Sequence, residues 1–323
     1  MFKNVMVYRI GEGWNPSLAE VEAALQAARF VACGATQDKS IGWIEPRGEE
    51  HGPLVESVGG HWMAKLMIES KAVPGHVVRR HLDERIASIE AATGRKPGKK
   101  EKRDLQDEIL LSLLPQAFPR QATVLVWIDL ENHRLVLDSG SQGKADEAIS
   151  ALMKAFTGLS VALIQTAVTP QAAMSGWLLA PSPEDWPSDL SVERECVLKA
   201  TGEDAASIRF TRHHLANDDV RKHVLEGKLP TQLALSWDGR VSFVLTETLQ
   251  LKKVQFLDGV MDEAGTDKQE DRFDADVVLA TGLLGPLLDG LIDALGGEQA
   301  WGAAPAEPAT LAQPAAAGDD PPF

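Results

Sequence analysis

A dense group of basic residues is the strongest chemical feature of this sequence. Six of the nine residues from position 95 to position 103 are cationic: Arg95, Lys96, Lys99, Lys100, Lys102 and Arg103. Long, flexible cations suit contacts with phosphate groups, and such contacts bind DNA of any sequence. Because most lysine-rich turns are only solvated, the group by itself leaves both DNA binding and simple solvation open.

The rest of the chain is acidic. The formal net charge is −15, which alone argues against a nucleic-acid partner because phosphate binding needs local Lys and Arg. Residues 71–120 nevertheless hold 11 Lys and Arg against 7 Asp and Glu, whereas the whole chain holds 32 against 47. Positive charge is therefore concentrated on one segment of an otherwise acidic protein.

The sequence carries no pattern typical of a catalytic site. It lacks a phosphate-binding P-loop, a dinucleotide-binding glycine motif and the HExxH metal motif. Cys33 and Cys196 are isolated, and adjacent strand residues such as His213 and His214 point to opposite faces, which does not suit one shared metal. We expect no enzyme activity, no cofactor and no metal site. A nuclease that uses carboxylates and two metal ions stays open as an alternative.

The chain is expected to reside in the cytoplasm. Its N-terminus lacks the pattern of a secretory signal, and two cysteines do not support a disulfide framework. The sequence contains no uninterrupted apolar run of about 18 residues, so it predicts no membrane span.

The hydrophobic pattern predicts an α+β protein with antiparallel sheets and packed helices. Two local signals place element boundaries: Ser17 and Glu20 have the spacing of a helix capping box, and Asp238-Gly239 is typical of a β-hairpin turn. The predicted organisation has four parts. A central α+β domain covers residues 1–73 and 115–180, and a helical hairpin covers 74–114. A second α+β domain with a C-terminal helix covers 181–300, and a disordered Pro/Ala-rich tail covers 301–323.

The helical hairpin carries the basic group at its tip. Apolar residues recur every three or four positions on both sides of residues 95–100, which are predicted to form the turn. The first helix is expected to end near Gly94 and the second to stop before Pro115.

Phe118 lies in the short linker between this hairpin and the next strand. An aromatic residue there could stack on a base, wedge between base pairs or pack across an interface. It could equally be a core residue reached from a loop, and the pattern alone favours that interpretation.

Segments spread over about residues 1–300 resemble RdgC, the bacterial recombination-associated protein family. No single segment is a catalytic signature, and the specificity lies in their order and spacing. The matching segments are 2–10, 42–46, 113–129, 226–228, 233–245 and 271–276.

The resemblance implies a homodimeric ring whose central hole is lined by basic side chains. Proteins of this family bind double- and single-stranded DNA without sequence preference and inhibit strand exchange promoted by RecA. The resemblance further implies that the hairpin projects and closes one contact of the ring, with Phe118 as an interface or gate residue. Such a ring would work at the nucleoid, with negative charge outside and positive charge inside.

The transfer of individual residues from the family is partial. Arg212 stands where a lysine is usual, Gln116 stands where arginine is expected, and His213 stands where glutamine is expected. The basic group at 95–103 is a candidate replacement for the cation missing at Gln116. Three residues match family positions that matter for DNA binding or ring closure: Phe118, Arg120 and Lys228.

The last five residues, DDPPF, resemble the acidic C-terminal tip of bacterial single-stranded DNA-binding proteins. Acidic residues before a terminal aromatic suit an apolar pocket with a basic rim on a partner protein. An uninformative tail is the alternative. The residues predicted to dock are Asp319, Asp320, Pro322 and Phe323.

Three functions compete. A DNA-binding ring dimer is favoured. The second is a DNA-processing enzyme such as a metal-dependent nuclease, and the third is a scaffold that acts on recombination proteins without gripping DNA.

Overall fold

The chain is an α+β protein whose strands pair antiparallel, as predicted. The computed structural model describes residues 2–201, 206–257 and 269–301. The chain divides into two compact units, one of Met1–Ala162 with Thr266–Val278 and the other of Leu163–Gly265 with Leu279–Phe323. The four-part division expected from the sequence stays a prediction.

The first unit is built on paired strands in the order β2-β4-β5-β6-β1, with β3 beside β4 and β7 beside β1. The elements are β1 (Val5–Ile10), α1 (Leu18–Ala27), β2 (Lys39–Ile44), β3 (Val55–Val58), β4 (His61–Lys71), α2 (Gly75–Thr93), α3 (Lys99–Leu113), a 3-10 turn (Leu114–Gln116), β5 (Pro119–Asp129), β6 (Arg134–Leu137), α4 (Gln142–Ala155) and β7 (Val161–Leu163).

One hydrophobic core joins α1 and α4 to this sheet, because each helix turns an apolar stripe toward it. Leu25 of α1, Leu152 of α4 and Trp43 of β2 are almost completely buried there. The predicted capping box begins α1: the Ser17 Oγ accepts from the Glu20 N–H at 3.3 Å, and the Glu20 carboxylate accepts from the Ser17 N–H at 2.8 Å. The Ser17 N–H also lowers the pKa of Glu20.

Gly42 allows an unusually close backbone approach at the edge of β2. The Phe30 N–H donates to the Trp43 carbonyl at 2.9 Å, and the Trp43 N–H donates to the Ala28 carbonyl at 3.0 Å. A Cβ at Gly42 would lie 2.4 Å from the Cα of Phe30, so only glycine fits. This requirement explains the glycine in the segment 42–46.

Helices α2 and α3 pack against each other as a helical hairpin. Among the described residues of the pair, only Val78 is buried, so each helix relies mainly on the other. The turn is shorter than expected: Gly94 ends α2 with φ 69°, Gly98 is the N-cap of α3, and α3 begins at Lys99. Lys99 and Lys100 therefore lie on the first turn of a helix. That the hairpin projects from the protein stays a prediction.

The second unit has strands in the order β12-β11-β10-β8-β9, each antiparallel to its neighbour. The predicted hairpin turn is confirmed, with φ 49° at Asp238 and 62° at Gly239. The elements are α5 (Pro170–Leu179), a 3-10 turn (Pro183–Asp185), β8 (Leu190–Ala200), β9 (Ser207–Thr211), α6 (Asp218–Leu225), β10 (Lys228–Trp237), β11 (Val241–Thr246), β12 (Gln250–Phe256) and α7 (Gln269–Ala294), of which the part from Leu279 onward belongs to this unit.

Helix α7 is the C-terminal helix that the sequence predicts, and it continues through Pro286. Within Arg272–Ala294, an 18-residue stretch has a mean hydropathy of 1.6, so by length and composition alone this part of the helix is sufficient to cross a membrane. The hydrophobic pattern of the sequence predicts no membrane span here. Half of this stretch is buried inside the protein, and its leucines at 284, 287 and 291 are fully enclosed, which is typical of the core helix of a soluble protein.

Candidate nucleic-acid interface

The six cations predicted at the hairpin tip are all exposed, but two of them are engaged by carboxylates. Arg95 donates to Glu101 at 2.9 Å, and the Lys96 ammonium lies 3.8 Å from Glu90. The hydrogen bond from Arg95 lowers the pKa of the Glu101 carboxyl. These two cations would have to leave a partner before binding a phosphate.

The other four cations make no ion pair within the described parts of the chain: Lys99, Lys100, Lys102 and Arg103. They occupy the first turns of α3, where Gly98 provides no side-chain cap for the free N–H groups. The positive end of the helix dipole adds to the charge of these side chains. The start of α3 therefore carries more cations than carboxylates, even with Glu101 in its first turn, and is suited to an anion.

The linker after α3 presents three of the predicted site residues to solvent. Gln116 ends the 3-10 turn, Phe118 follows, and Arg120 lies at the start of β5 opposite Ser70 of β4. The Phe118 side chain is 90% exposed, so the core position that the pattern favoured is wrong. Phe118 lies just before the first paired residue of β5, Pro119, and the described residues leave its ring almost fully uncovered.

A second group of predicted residues comes together in the other unit. Arg212 follows the end of β9 with a left-handed backbone, φ 56°, and is exposed. The His213 ring stacks on Phe210 with 5.5 Å between centroids, and Phe210 also contacts His223 at 6.1 Å. His223 Nδ1 in turn lies 3.1 Å from the Lys228 ammonium. Sequence reasoning predicted Arg212, His213 and Lys228 but missed the rings of Phe210 and His223, which connect His213 to Lys228.

Lys228 is the least accessible of the predicted DNA contacts. Its side chain is 18% exposed, and its ammonium donates to the Glu226 carboxylate at 3.0 Å. This hydrogen bond is the main cause of the lowered pKa of Glu226. Arg212 and His213, by contrast, lie on the surface.

The histidine pair His213 and His214 does not have the strand geometry that the sequence predicts. His213 and His214 lie beyond the end of β9 at Thr211, so the alternation of strand side chains does not apply to them. His213 Nε2 is 2.9 Å from the Asn217 amide instead. Among the described residues, no group of three or more His, Cys, Asp or Glu side chains is placed to hold a metal ion.

A sequence model of the RdgC family, described as "Putative exonuclease, RdgC", matches residues 1–298. The chain belongs to the RdgC family. Three proteins named recombination-associated protein RdgC are close relatives. Those of Dechloromonas aromatica and Herminiimonas arsenicoxydans are 39% identical and that of Bordetella pertussis 38%, over 92–93% of this chain and 98–99% of their own lengths.

RdgC membership confirms the resemblance drawn from the ordered segments. The names of the RdgC relatives describe a role in recombination and no enzyme activity, whereas the description of the family names an exonuclease. The tail residues predicted to dock a partner lie outside the described residues, so that site stays a prediction: Asp319, Asp320, Pro322 and Phe323.

Proposed function

We propose that this RdgC-family protein binds double- and single-stranded DNA without sequence preference, encircles duplex DNA as a homodimeric ring and restrains recombination by RecA. In this proposal it acts at the nucleoid in the cytoplasm, catalyses no reaction and needs no cofactor. The observation that carries the proposal is the exposed, unpaired cationic start of α3 on a chain whose net charge is −15.

Electrostatics favour DNA binding that does not depend on sequence. Flexible lysines and arginines bind phosphates wherever they occur along DNA, so affinity does not depend on base sequence. The acidic remainder of the protein repels the duplex. DNA would therefore be held only where the cations converge, which in a ring is the central hole.

The exposed Phe118 supports assembly of two copies. A large apolar side chain that is 90% exposed is stabilised when a partner covers it. A two-fold dimer is the commonest soluble assembly, and it would bring the Phe118 linker of each protomer into the same contact or into equivalent ones.

Topological trapping tests the ring directly. Protein bound to a small circular duplex is expected to survive a high-salt wash, because an intact ring cannot slide off. The same protein on a linear duplex of equal sequence is expected to dissociate, and cutting the circle is expected to release it. Equal retention on the two forms would overturn encirclement and leave a surface binder.

Neutralising the unpaired cations of α3 is expected to weaken duplex binding and lower its salt dependence. In the variant K99Q/K100Q/K102Q/R103Q, the slope of log affinity against log salt is expected to fall by about one unit for each cation that contacts phosphate. Fluorescence anisotropy over a salt series measures both quantities. The control R95Q/K96Q removes two cations that are already paired and is expected to lose less affinity for each cation removed. An equal loss per removed cation in the two variants would contradict the assignment.

A nuclease is the second candidate, and the description of the family favours it. Incubation of labelled linear duplex with the protein and Mg²⁺ distinguishes the nuclease from the ring. The ring proposal predicts that the DNA stays intact, and shortened products would support the nuclease instead. The scaffold alternative predicts that inhibition of RecA persists in a variant that no longer binds DNA.

A further inference from the structure

The turn between α6 and β10 places a carboxylate beside Lys228. Helix α6 ends at Leu225, and the Gly227 N–H donates to the Val224 carbonyl at 3.0 Å. Gly227 has φ 90°, a conformation that suits glycine. The chain reverses here within two residues, so the Glu226 and Lys228 side chains meet with 3.0 Å between the carboxylate and the ammonium.

His223 completes the arrangement from the last turn of α6. Its Nδ1 lies 3.4 Å from the Glu226 carboxylate and 3.1 Å from the Lys228 ammonium. Lys222 also favours the charged form of Glu226. Lys228 is the most enclosed of the three side chains, at 18% exposed, whereas Glu226 is 45% exposed. The largely enclosed ammonium of Lys228 is thus paired with a carboxylate, that of Glu226, which is more open to solvent.

A carboxylate and a phosphodiester present the same chemistry to a lysine: an oxygen that carries negative charge and accepts a charge-assisted hydrogen bond. We infer that Glu226 occupies the place of a DNA phosphate on Lys228, so that DNA must displace this carboxylate to use the lysine. This inference rests on the proposed function, since it needs Lys228 to contact DNA. Glu226 then acts as a positioning residue that keeps Lys228 in place and weakens its hold on phosphate.

The displacement has a measurable consequence for affinity. A free cation gains its full attraction to phosphate, whereas Lys228 gains only the difference between phosphate and Glu226. Removing the charge of Glu226 is expected to tighten duplex binding by about two- to fivefold at low salt, the range that corresponds to exposed ion pairs. The gain should shrink as salt rises because these charges are partly exposed and screened.

A double-mutant cycle with E226Q and K228Q tests this, using a short linear duplex and fluorescence anisotropy at several salt concentrations. We expect E226Q to bind more tightly than wild type, K228Q to bind more weakly, and E226Q/K228Q to match K228Q. E226D keeps the charge and is expected to stay close to wild type. The control E147Q removes the carboxylate of another Glu–Lys pair, with Lys39, and is expected to leave affinity unchanged.

The measured affinities distinguish a failure of the Glu226 displacement from a failure of the proposed DNA contact. If wild type does not bind duplex, or if K228Q binds as well as wild type, the proposed DNA contact of Lys228 is wrong. If K228Q weakens binding but E226Q does not tighten it, the displacement is wrong. A gain that persists in E226Q/K228Q also overturns it, because Glu226 would then act through its general charge. Equal thermal unfolding midpoints for E226Q and wild type show that the turn is intact.

Discussion

Reversing the charge of Arg212 and Lys228 together is expected to weaken duplex binding by about two orders of magnitude at low salt. The His213–Phe210–His223 contacts connect the segment that bears Arg212 to Lys228, so R212E/K228E would place two carboxylates where two phosphate contacts are proposed. The slope of log affinity against log salt should fall by about one unit for each lost cation. A salt series of anisotropy titrations measures both effects.

The control for this variant carries the same change in net charge at another place. K39E/K154E reverses two exposed lysines of the first unit that belong to no predicted DNA contact. It is expected to retain most of the duplex affinity, because general repulsion is weaker than the loss of direct contacts. If R212E/K228E kept the affinity and slope of wild type, or lost no more than the control, the assignment of these residues to DNA binding would be wrong.

The elements that local chemistry specifies could be predicted from the sequence. The capping box of Ser17 and Glu20 involves residues three apart, and the turn at Asp238-Gly239 needs only residues that tolerate positive φ. The start of α3 was misplaced by two residues because Gly98 suits a turn and an N-cap equally well.

The chemical state of the candidate site depends on contacts that a pattern does not contain. The sequence located the cations but did not distinguish the free Lys99 from Arg95, which Glu101 holds. It gave no sign that Glu226 holds Lys228, because that contact depends on the conformation of Gly227. The apolar pattern alone favours a core position for Phe118 and only the family resemblance predicts an interface residue, because exposure is a property of the whole fold. The ring itself came from the family resemblance, not from residue patterns.

Replacing Phe118 by alanine is expected to weaken the dimer by roughly a hundredfold or more. Burying a phenylalanine side chain contributes about 1.5–3 kcal/mol, and a two-fold assembly loses two of them. Sedimentation velocity over a concentration series measures the dissociation constant. F118A should also lose salt-resistant retention on a circular duplex, while its contacts with a short linear duplex survive because the cations are unchanged.

The fold of the protomer should tolerate F118A, since a side chain that is 90% exposed contributes little to its core. The matched control is V31A, which truncates another side chain of the same unit that is 74% exposed and has no proposed role in assembly. V31A is expected to dimerise and to be retained on circular DNA as wild type is. If F118A also behaved as wild type in both measurements, Phe118 would not lie in the dimer contact. A variant that stayed dimeric but left circular DNA would instead place Phe118 at a gate that opens without dissociation of the ring.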